Sequence, residues 1–411
     1  MSVDLRTRTD GEPVELEPSS FFEADLPAAL EAAREHVEPG ATSLGLAPFT
    51  FEIDGASWTL EHRPGAIVIE RGAASGAAAC VRLSAEDLAR LVHDQCTPMT
   101  FFTSGTLDMP KGRLEHFLDW WLVLRSAIDR RPLHFPGALS LVDRTGKPLD
   151  LHRSFRADDS LEEMSEFLHE AGFLHIQGVF EEDEMHRISA DMDVAAPTYS
   201  DGDRQSWWAT TADGTRRLVR MQGFDRHSET ATGLLEDPRF LRLGKIPGDG
   251  HVNTGMVGNR VEALVKPIGI VRGISDVPWH KDCSLGRHSY ECCSLTVGVS
   301  VTGADATSGQ LRVVAGSHRA LTRPAHVDPS KHGLPEIDLP TRTGDVTVHL
   351  SCALHMSQPP ALRERRVLYT GFRLPLRPGT TAAVEAARAR IRAARESAPV
   401  KVSQESTVPR A

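Results

Sequence analysis

The sequence predicts an α+β protein in two parts. A smaller α+β domain comes first, and a barrel or jelly roll with flanking helices follows. Two observations carry this prediction. From about residue 261 the chain reads as short strands separated by Gly/Pro turns, with few helices between them, a pattern that buries its apolar faces by closing or stacking sheets. Before residue 135 the order is instead helix, strands, then helices, as in a sheet covered by helices on one face. The 411 residues suit two or three domains. The 40% hydrophobic and 25% charged content is ordinary for a globular chain.

Residues 1–20 are polar, carry Pro13 and Pro18, and read as a loose tail. The first domain is expected over 21–134. Residues 20–39 look helical. Residues 49–72 read as three strands turning at Asp54-Gly55 and Pro64-Gly65, and 79–84 adds a fourth strand. Ser84 is placed to cap a helix with Glu86 and Asp87 in its first turn. Over 112–131, Leu114, Phe117, Trp121 and Leu124 recur at steps of three and four, an apolar stripe made to cover a sheet. A linker at 135–155 holds the breakers Pro136-Gly137 and Gly146-Lys147-Pro148.

The second domain is expected over 156–378. It opens with helix, strand and helix over 160–193, with Ser160 and Glu163 in capping-box spacing and Gly172 as a stop. Residues 198–222 are polar and turn-rich, carry Trp207-Trp208, and read as a lid or a surface loop. In 289–303, Cys293, Leu295, Val297, Val299 and Val301 share one strand face, while Ser294, Thr296, Gly298 and Ser300 share the other. Further strands fall in "QLRVVAG", "GDVTVHLS" and "RRVLYTGFRLPL". Residues 379–411 hold a helix over 380–396 and a trailing tail.

Charge excludes one function class. The 46 basic and 56 acidic residues leave a net charge of −10, whereas a nucleic-acid binder usually carries a basic field. The first twenty residues lack an apolar signal core, and no run is long and apolar enough for a membrane span. Cys80, Cys96, Cys283, Cys292, Cys293 and Cys352 are sparse. Reduced thiols and a cytoplasmic location are therefore expected, with homo-oligomerisation left open.

The segment "VPWHKDCSLGRHSYECC" over 277–293 raises the question of a metal. Structural zinc sites recur as paired ligands at short spacing. Cys292 and Cys293 are adjacent instead, so on a strand they point to opposite faces, and Cys283 has no partner at a two-residue gap. His280 and Asp282 are two apart, and an extended segment puts both on one face. A redox iron can use two histidines and one carboxylate. His349 and His355 both qualify as the second histidine, and the cations Arg363, Arg365 and Arg366 lie just downstream. An arginine opening into a barrel interior needs an anion, because a buried unpaired charge is costly.

Five ordered motifs carry a resemblance over roughly 160–376. They are "EFLHEAGFLHIQGVF", "WHKD", "SGQLRVVAGSHR", "GDVTVHLSCALHMS" and the arginine that follows. This part resembles the phytanoyl-CoA dioxygenase family of Fe(II)- and 2-oxoglutarate-dependent oxygenases. The resemblance implies a cupin-like double-stranded β-helix, with Fe(II), 2-oxoglutarate and O₂ required. It implies that His280, Asp282 and His355 bind the iron. Arg366, eleven residues after His355, would pair with the distal carboxylate of 2-oxoglutarate, with Arg365 as the alternative if the register slips by one. Ser357 would assist, and His349 and His318 would be structural. Two positions depart from the family pattern: Ala315 replaces a proline, and Pro360 replaces an asparagine near the cosubstrate. Related halogenases carry a small residue where Asp282 stands, so the implied outcome is hydroxylation of a small metabolite or natural-product intermediate, with release of succinate and CO₂. The stretch 49–132 resembles the sterol-carrier-protein-2-like domains, with "GTLDMPKGRLEHFLDWW" the best local likeness. Such domains can hold an apolar ligand. The alternative is a domain that packs, dimerises or caps its neighbour. A non-catalytic small-molecule or lipid-binding protein on the same folds is the competing function.

Overall fold

The computed structural model describes residues 15–253, 260–273, 277–282 and 294–374. Most of the expected N-terminal tail, the helix expected over 380–396, and Cys283, Cys292 and Cys293 lie outside these residues.

The N-terminal part opens with α1 (Pro18–Ser20), a π-helical turn over Phe21–Asp25, α2 (Leu26–Ala32) and α3 (Arg34–Leu44). The expected helix end at Pro39 is not observed. The backbone breaks at Ala33, restarts, holds Pro39 inside α3 and stops at Gly45 in the left-handed region. Strands β1 (Phe49–Ile53), β2 (Ala56–Arg63), β3 (Ala66–Arg71) and β4 (Ala79–Leu83) follow. Then come α4 (Ala85–Val92), α5 (Pro98–Ser104), β5 (Asp108–Lys111) and α6 (Leu114–Asp129). Ser84 caps α4 by accepting from the Asp87 N–H at 3.1 Å. The sheet runs β3-β2-β1-β4-β5, with β1 and β4 parallel.

The stripe on α6 predicted one buried face. Every residue from Phe117 to Ala127 is buried instead. One side packs on β1 and β4, and α2 to α5 surround it. Leu321 and Ala325, some two hundred residues downstream, join the same apolar cluster.

The C-terminal part begins with β6 (Phe155–Arg156), α7 (Leu161–Ala171), β7 (Phe173–Gln177) and α8 (Glu182–Ala195). Ser160 caps α7 and Gly172 ends it with φ 86°. Where a lid or loop was expected, the chain forms a hairpin, β8 (Ser206–Thr211) and β9 (Arg216–Gln222), turning at Asp213-Gly214. Next come α9 (Glu229–Glu236), α10 (Pro238–Leu243), β10 (Val252–Asn253), β11 (Glu262–Lys266), β12 (Ile270–Arg272) and β13 (Val277–His280). The last elements are β14 (Ser294–Ser300), β15 (Leu311–Val314), β16 (Glu336–Leu339), β17 (Val346–Leu350), β18 (His355–Ser357) and β19 (Arg365–Arg373).

Two sheets form this part. The larger runs β12-β8-β9-β11-β19-β14-β17-β7-β6, with β10 on β19, and the smaller runs β13-β18-β15-β16. Along the chain β11, β14, β17 and β19 fall in the large sheet, while β13, β15, β16 and β18 fall in the small one. That to-and-fro winding makes a cupin-like jelly roll. The apolar row Leu295, Val297, Val299 and Val301 packs with α7 and α8 residues in the main core. The opposite row of β14, with Thr296, therefore faces the small sheet. Among the described residues no helix is long and apolar enough to cross a membrane.

Two histidines between sheet and loop make the fold acid-sensitive. Burial pushes His318 and His332 down to about 4. Both are neutral in the folded state between that value and the ordinary imidazole value of 6.5, whereas the unfolded chain takes up protons there. Their contribution to stability is intact above pH 6.5 and is lost as the pH falls toward 4. The slope has an upper bound of about 1.4 kcal/mol per pH unit for each histidine. Urea midpoints taken from pH 7 to 4.5 should fall steeply, and His332→Gln should flatten that fall. An unchanged slope in the variant would contradict the assignment.

Candidate metal centre

Strand β13 pairs with β18 in the small sheet, and their register sets His280 directly opposite His355. Their rings lie 4.2 Å apart between centroids. Asp282 follows the end of β13, with Oδ1 3.1 Å from His280 Nε2 and Oδ2 3.9 Å from His355 Nε2. Among the described residues this is the one group of three or more His, Cys, Asp or Glu side chains whose ligand atoms lie within 4.8 Å of one another. His355 is buried, His280 half-buried, and Asp282 lies at the open side.

The backbone fixes which nitrogen of each ring faces inward. His280 Nδ1 lies 2.7 Å from Pro278 O, and His355 Nδ1 lies 2.9 Å from Ala353 O. A carbonyl can only accept, so each Nδ1 is placed to donate to the backbone and each Nε2 is turned toward Asp282. Burial, and then the rings of His280 and His349, hold His355 well below the ordinary imidazole range, so it stays neutral. Desolvation opposes ionisation of Asp282. The rings of His355, His280 and His349 and the contact with His280 outweigh it and hold the carboxyl well below the usual carboxylate range. The Nε2 atoms of two imidazoles thus converge with one carboxylate, a donor set that a divalent cation can bridge. Two imidazoles and one carboxylate, with no thiolate in the group, suit non-haem iron. The Thr296 hydroxyl donates to Asp282 Oδ2 at 3.4 Å, and Ser351 lies 3.0 Å from that hydroxyl.

The expected anion anchor requires a correction. Arg366 does not join the centre. Its side chain turns toward α8, donating to Ser189 O at 2.9 Å and pairing with Asp193 at 2.8 Å and Glu364 at 3.0 Å. Adjacent strand residues face opposite ways, and Arg365 takes the inner side at 1% exposure. Its Nη1 donates to Gly309 O at 2.9 Å and to Ser357 Oγ at 3.3 Å, while its Nε has no partner. Lys266, opposite Arg365 in the β11–β19 register, donates to Ser357 Oγ at 2.8 Å and also to Gln358 O. No carboxylate among the described residues pairs with Arg365. Ser357 therefore sits between two buried cations. Lys266 was not picked out from the sequence, where a lone lysine before Pro267 belongs to no motif.

His318, expected to be structural, lies with Nε2 2.9 Å from His169 O. Near the hairpin, Arg216 pairs with Asp201 and Arg220 with Glu262. His349 is less ordinary than its expected structural role. Its ring lies 4.2 Å from His355 and its Nε2 3.9 Å from Asp282 Oδ2, yet at 1% exposure neither ring nitrogen has a hydrogen bond among the described residues. An orphaned buried polar group costs about 1–3 kcal/mol. His349→Phe should therefore raise the unfolding temperature of chelator-treated protein by a few degrees, about the effect of 1 kcal/mol, as calorimetry would read. A large drop would contradict that account.

Residues 168–365 match the family model of phytanoyl-CoA dioxygenase (PhyH). Among curated proteins there is no match. Several solved structures are similar. AviO1 from Streptomyces viridochromogenes Tue57 is 24% identical, covering 54% of this chain and 98% of that one at a TM-score of 0.43. The non-haem α-ketoglutarate-dependent epimerase SnoN from nogalamycin biosynthesis is 19% identical, covering 55% and 86% at 0.42. EctD from S. alaskensis, solved with 2-oxoglutarate and 5-hydroxyectoine, is 17% identical, covering 58% and 82% at 0.42.

Proposed function

We propose that this chain is a non-haem Fe(II)- and 2-oxoglutarate-dependent dioxygenase that hydroxylates a carbon of a small metabolite or natural-product intermediate. The observation that carries this reading is the convergence of ligand atoms from His280, Asp282 and His355 within 4.8 Å of one another. With each Nδ1 turned to a backbone carbonyl, the Nε2 atoms of His280 and His355 and the Asp282 carboxylate form a cradle for one divalent cation. His280, Asp282 and His355 would hold the iron and would leave room for cosubstrate and O₂ beside it. When bound, the iron couples decarboxylation of 2-oxoglutarate to succinate and CO₂ with transfer of one oxygen atom of O₂ into a substrate C–H bond.

The protein's own groups do the seating. Arg365 takes the role expected of Arg366 and meets the distal carboxylate of 2-oxoglutarate, with Ser357 and Lys266 donating beside it. A carboxylate there offsets the burial of the Arg365 cation. Thr296 steadies the Asp282 oxygen that a one-point metal contact leaves over. The full-length carboxylate at 282 occupies the space a halide would need, which supports hydroxylation over halogenation. For the N-terminal domain, the all-round burial of α6 favours packing against its neighbour over carriage of an apolar ligand, even on a sterol-carrier-protein-2-like fold.

The test is a coupled assay on protein loaded with Fe(II) under air. Added 2-oxoglutarate should be converted to succinate, faster with a suitable substrate and not at all with Zn(II) in place of Fe(II). Absence of succinate from Fe(II)-loaded, folded protein across a broad metabolite panel would overturn the reading.

A further inference from the structure

The link between the two parts of the molecule runs straight into the metal centre. Arg323 grips Asp119 of α6 at two points, Nε to Oδ1 at 2.5 Å and Nη2 to Oδ2. Leu321 and Ala325, on either side of it, are buried in the N-terminal core. Leu321 also bridges Leu133, and its carbonyl accepts from the His134 N–H at 3.3 Å. So 321–325 is held by the N-terminal domain although it belongs in sequence to the jelly roll.

The same segment backs both strands that carry the ligand histidines His280 and His355. His280 forms a bridge with Ala325. Lys281, between the two ligands of the His-x-Asp pair, is fully buried. Its N–H donates to Pro324 O at 2.7 Å, and its ammonium donates to Ser317 O at 2.7 Å and Ala320 O at 3.0 Å. Ser317 Oγ accepts from the Leu354 N–H at 2.7 Å, next to His355, and donates to Val314 O at 2.6 Å. A displacement of 317–325 would therefore move β13 and β18 together.

We propose that the N-terminal domain is a positioning device for the metal centre, acting through residues 317–325, with Asp119 and Arg323 as the clamp on one side and Lys281 as the clamp on the other. The inference rests on the metal reading of His280, Asp282 and His355. None of the three clamp residues belongs to the ligand group of His280, Asp282 and His355. They act by fixing where the ligand strands stand, and ligand positions must hold to within a fraction of an ångström for tight binding. Groups that orient first ligands typically change metal affinity about 10–100-fold when removed.

The experiment is calorimetric titration of the full chain with Fe(II) or Mn(II) in the absence of O₂, with no catalytic readout. Asp119→Asn and Arg323→Gln should each weaken metal binding about 10–100-fold while circular dichroism stays native. The exchanged pair Asp119→Arg with Arg323→Asp should recover binding to within a few-fold. Lys281→Met, which leaves the α6 clamp intact, should weaken binding comparably, and it keeps the proposal testable if either clamp variant fails to fold. Folded single variants that bind metal as tightly as the wild type would overturn the proposal. Equal weakening in the exchanged pair and the singles would also overturn the clamp. A wild-type chain that binds no metal would instead overturn the underlying metal reading.

Discussion

Arg365→Ala should raise the concentration of 2-oxoglutarate needed for half-maximal turnover by two to three orders of magnitude, and Arg366→Ala should leave it within about twofold. The difference follows from which side of β19 each guanidinium takes. Arg365 is buried beside Ser357 and Lys266 and has no carboxylate partner among the described residues. Removing one member of a buried, hydrogen-bonded charge pair costs about 2–5 kcal/mol, and 1.4 kcal/mol is tenfold in affinity. Arg366 spends its bonds on Ser189, Asp193 and Glu364 at the α8 side. Its loss should cost under about 1 kcal/mol of stability, as partly exposed pairs do. Arg365→Lys should fall between, because a lysine keeps the charge and gives up the fork. Steady-state succinate formation against 2-oxoglutarate concentration decides the matter. A larger defect in Arg366→Ala than in Arg365→Ala would reverse the assignment.

His355→Ala should bind metal more than 100-fold more weakly, because losing a ligand must cost at least as much as losing a group that merely orients one, about 10–100-fold. The metal-free variant should remain folded. Removing a neutral ring from a crowded cluster leaves the adjoining β18 pairings with β13 and β15 in place. Thermal unfolding with and without metal separates these effects. Wild-type protein at a free metal concentration a hundred times its dissociation constant should gain about 2.7 kcal/mol, and the variant almost nothing at the same concentration. The same metal-induced rise in both proteins would remove His355 from the ligand set.

Much of this centre was legible in the sequence because strand geometry is periodic. Two residues separated by one share a face, so His280 and Asp282 needed only an extended backbone to converge. His355 was reachable because the motif order fixed its strand. The same periodicity explains the misplacement at 365 and 366. A count of eleven residues from His355 crosses Pro359 and Pro360 and a non-strand loop, and one residue of slack there exchanges inside for outside. Lys266 was invisible because its partner strand lies about a hundred residues on, and only the register opposite Arg365 gives it meaning. The hairpin over 206–222 was legible after all: Asp213-Gly214 between two strand-forming runs is a hairpin signal, masked by the polar residues around it. No periodicity could foretell the full burial of α6, because its cover comes from α2 to α5 on the far side from the sheet, with Leu321 and Ala325 of the other part of the molecule in the same cluster.

The central claim is that His280, Asp282 and His355 share one ferrous ion that also takes 2-oxoglutarate. Anaerobic addition of Fe(II) and then 2-oxoglutarate tests it most directly, because a keto acid bound to ferrous iron gives a weak visible charge-transfer absorption that neither gives alone. Wild-type protein should develop that band and saturate at one equivalent, and His280→Ala should not develop it. A band of normal intensity in His280→Ala, or none in metal-loaded wild-type protein, would contradict the account.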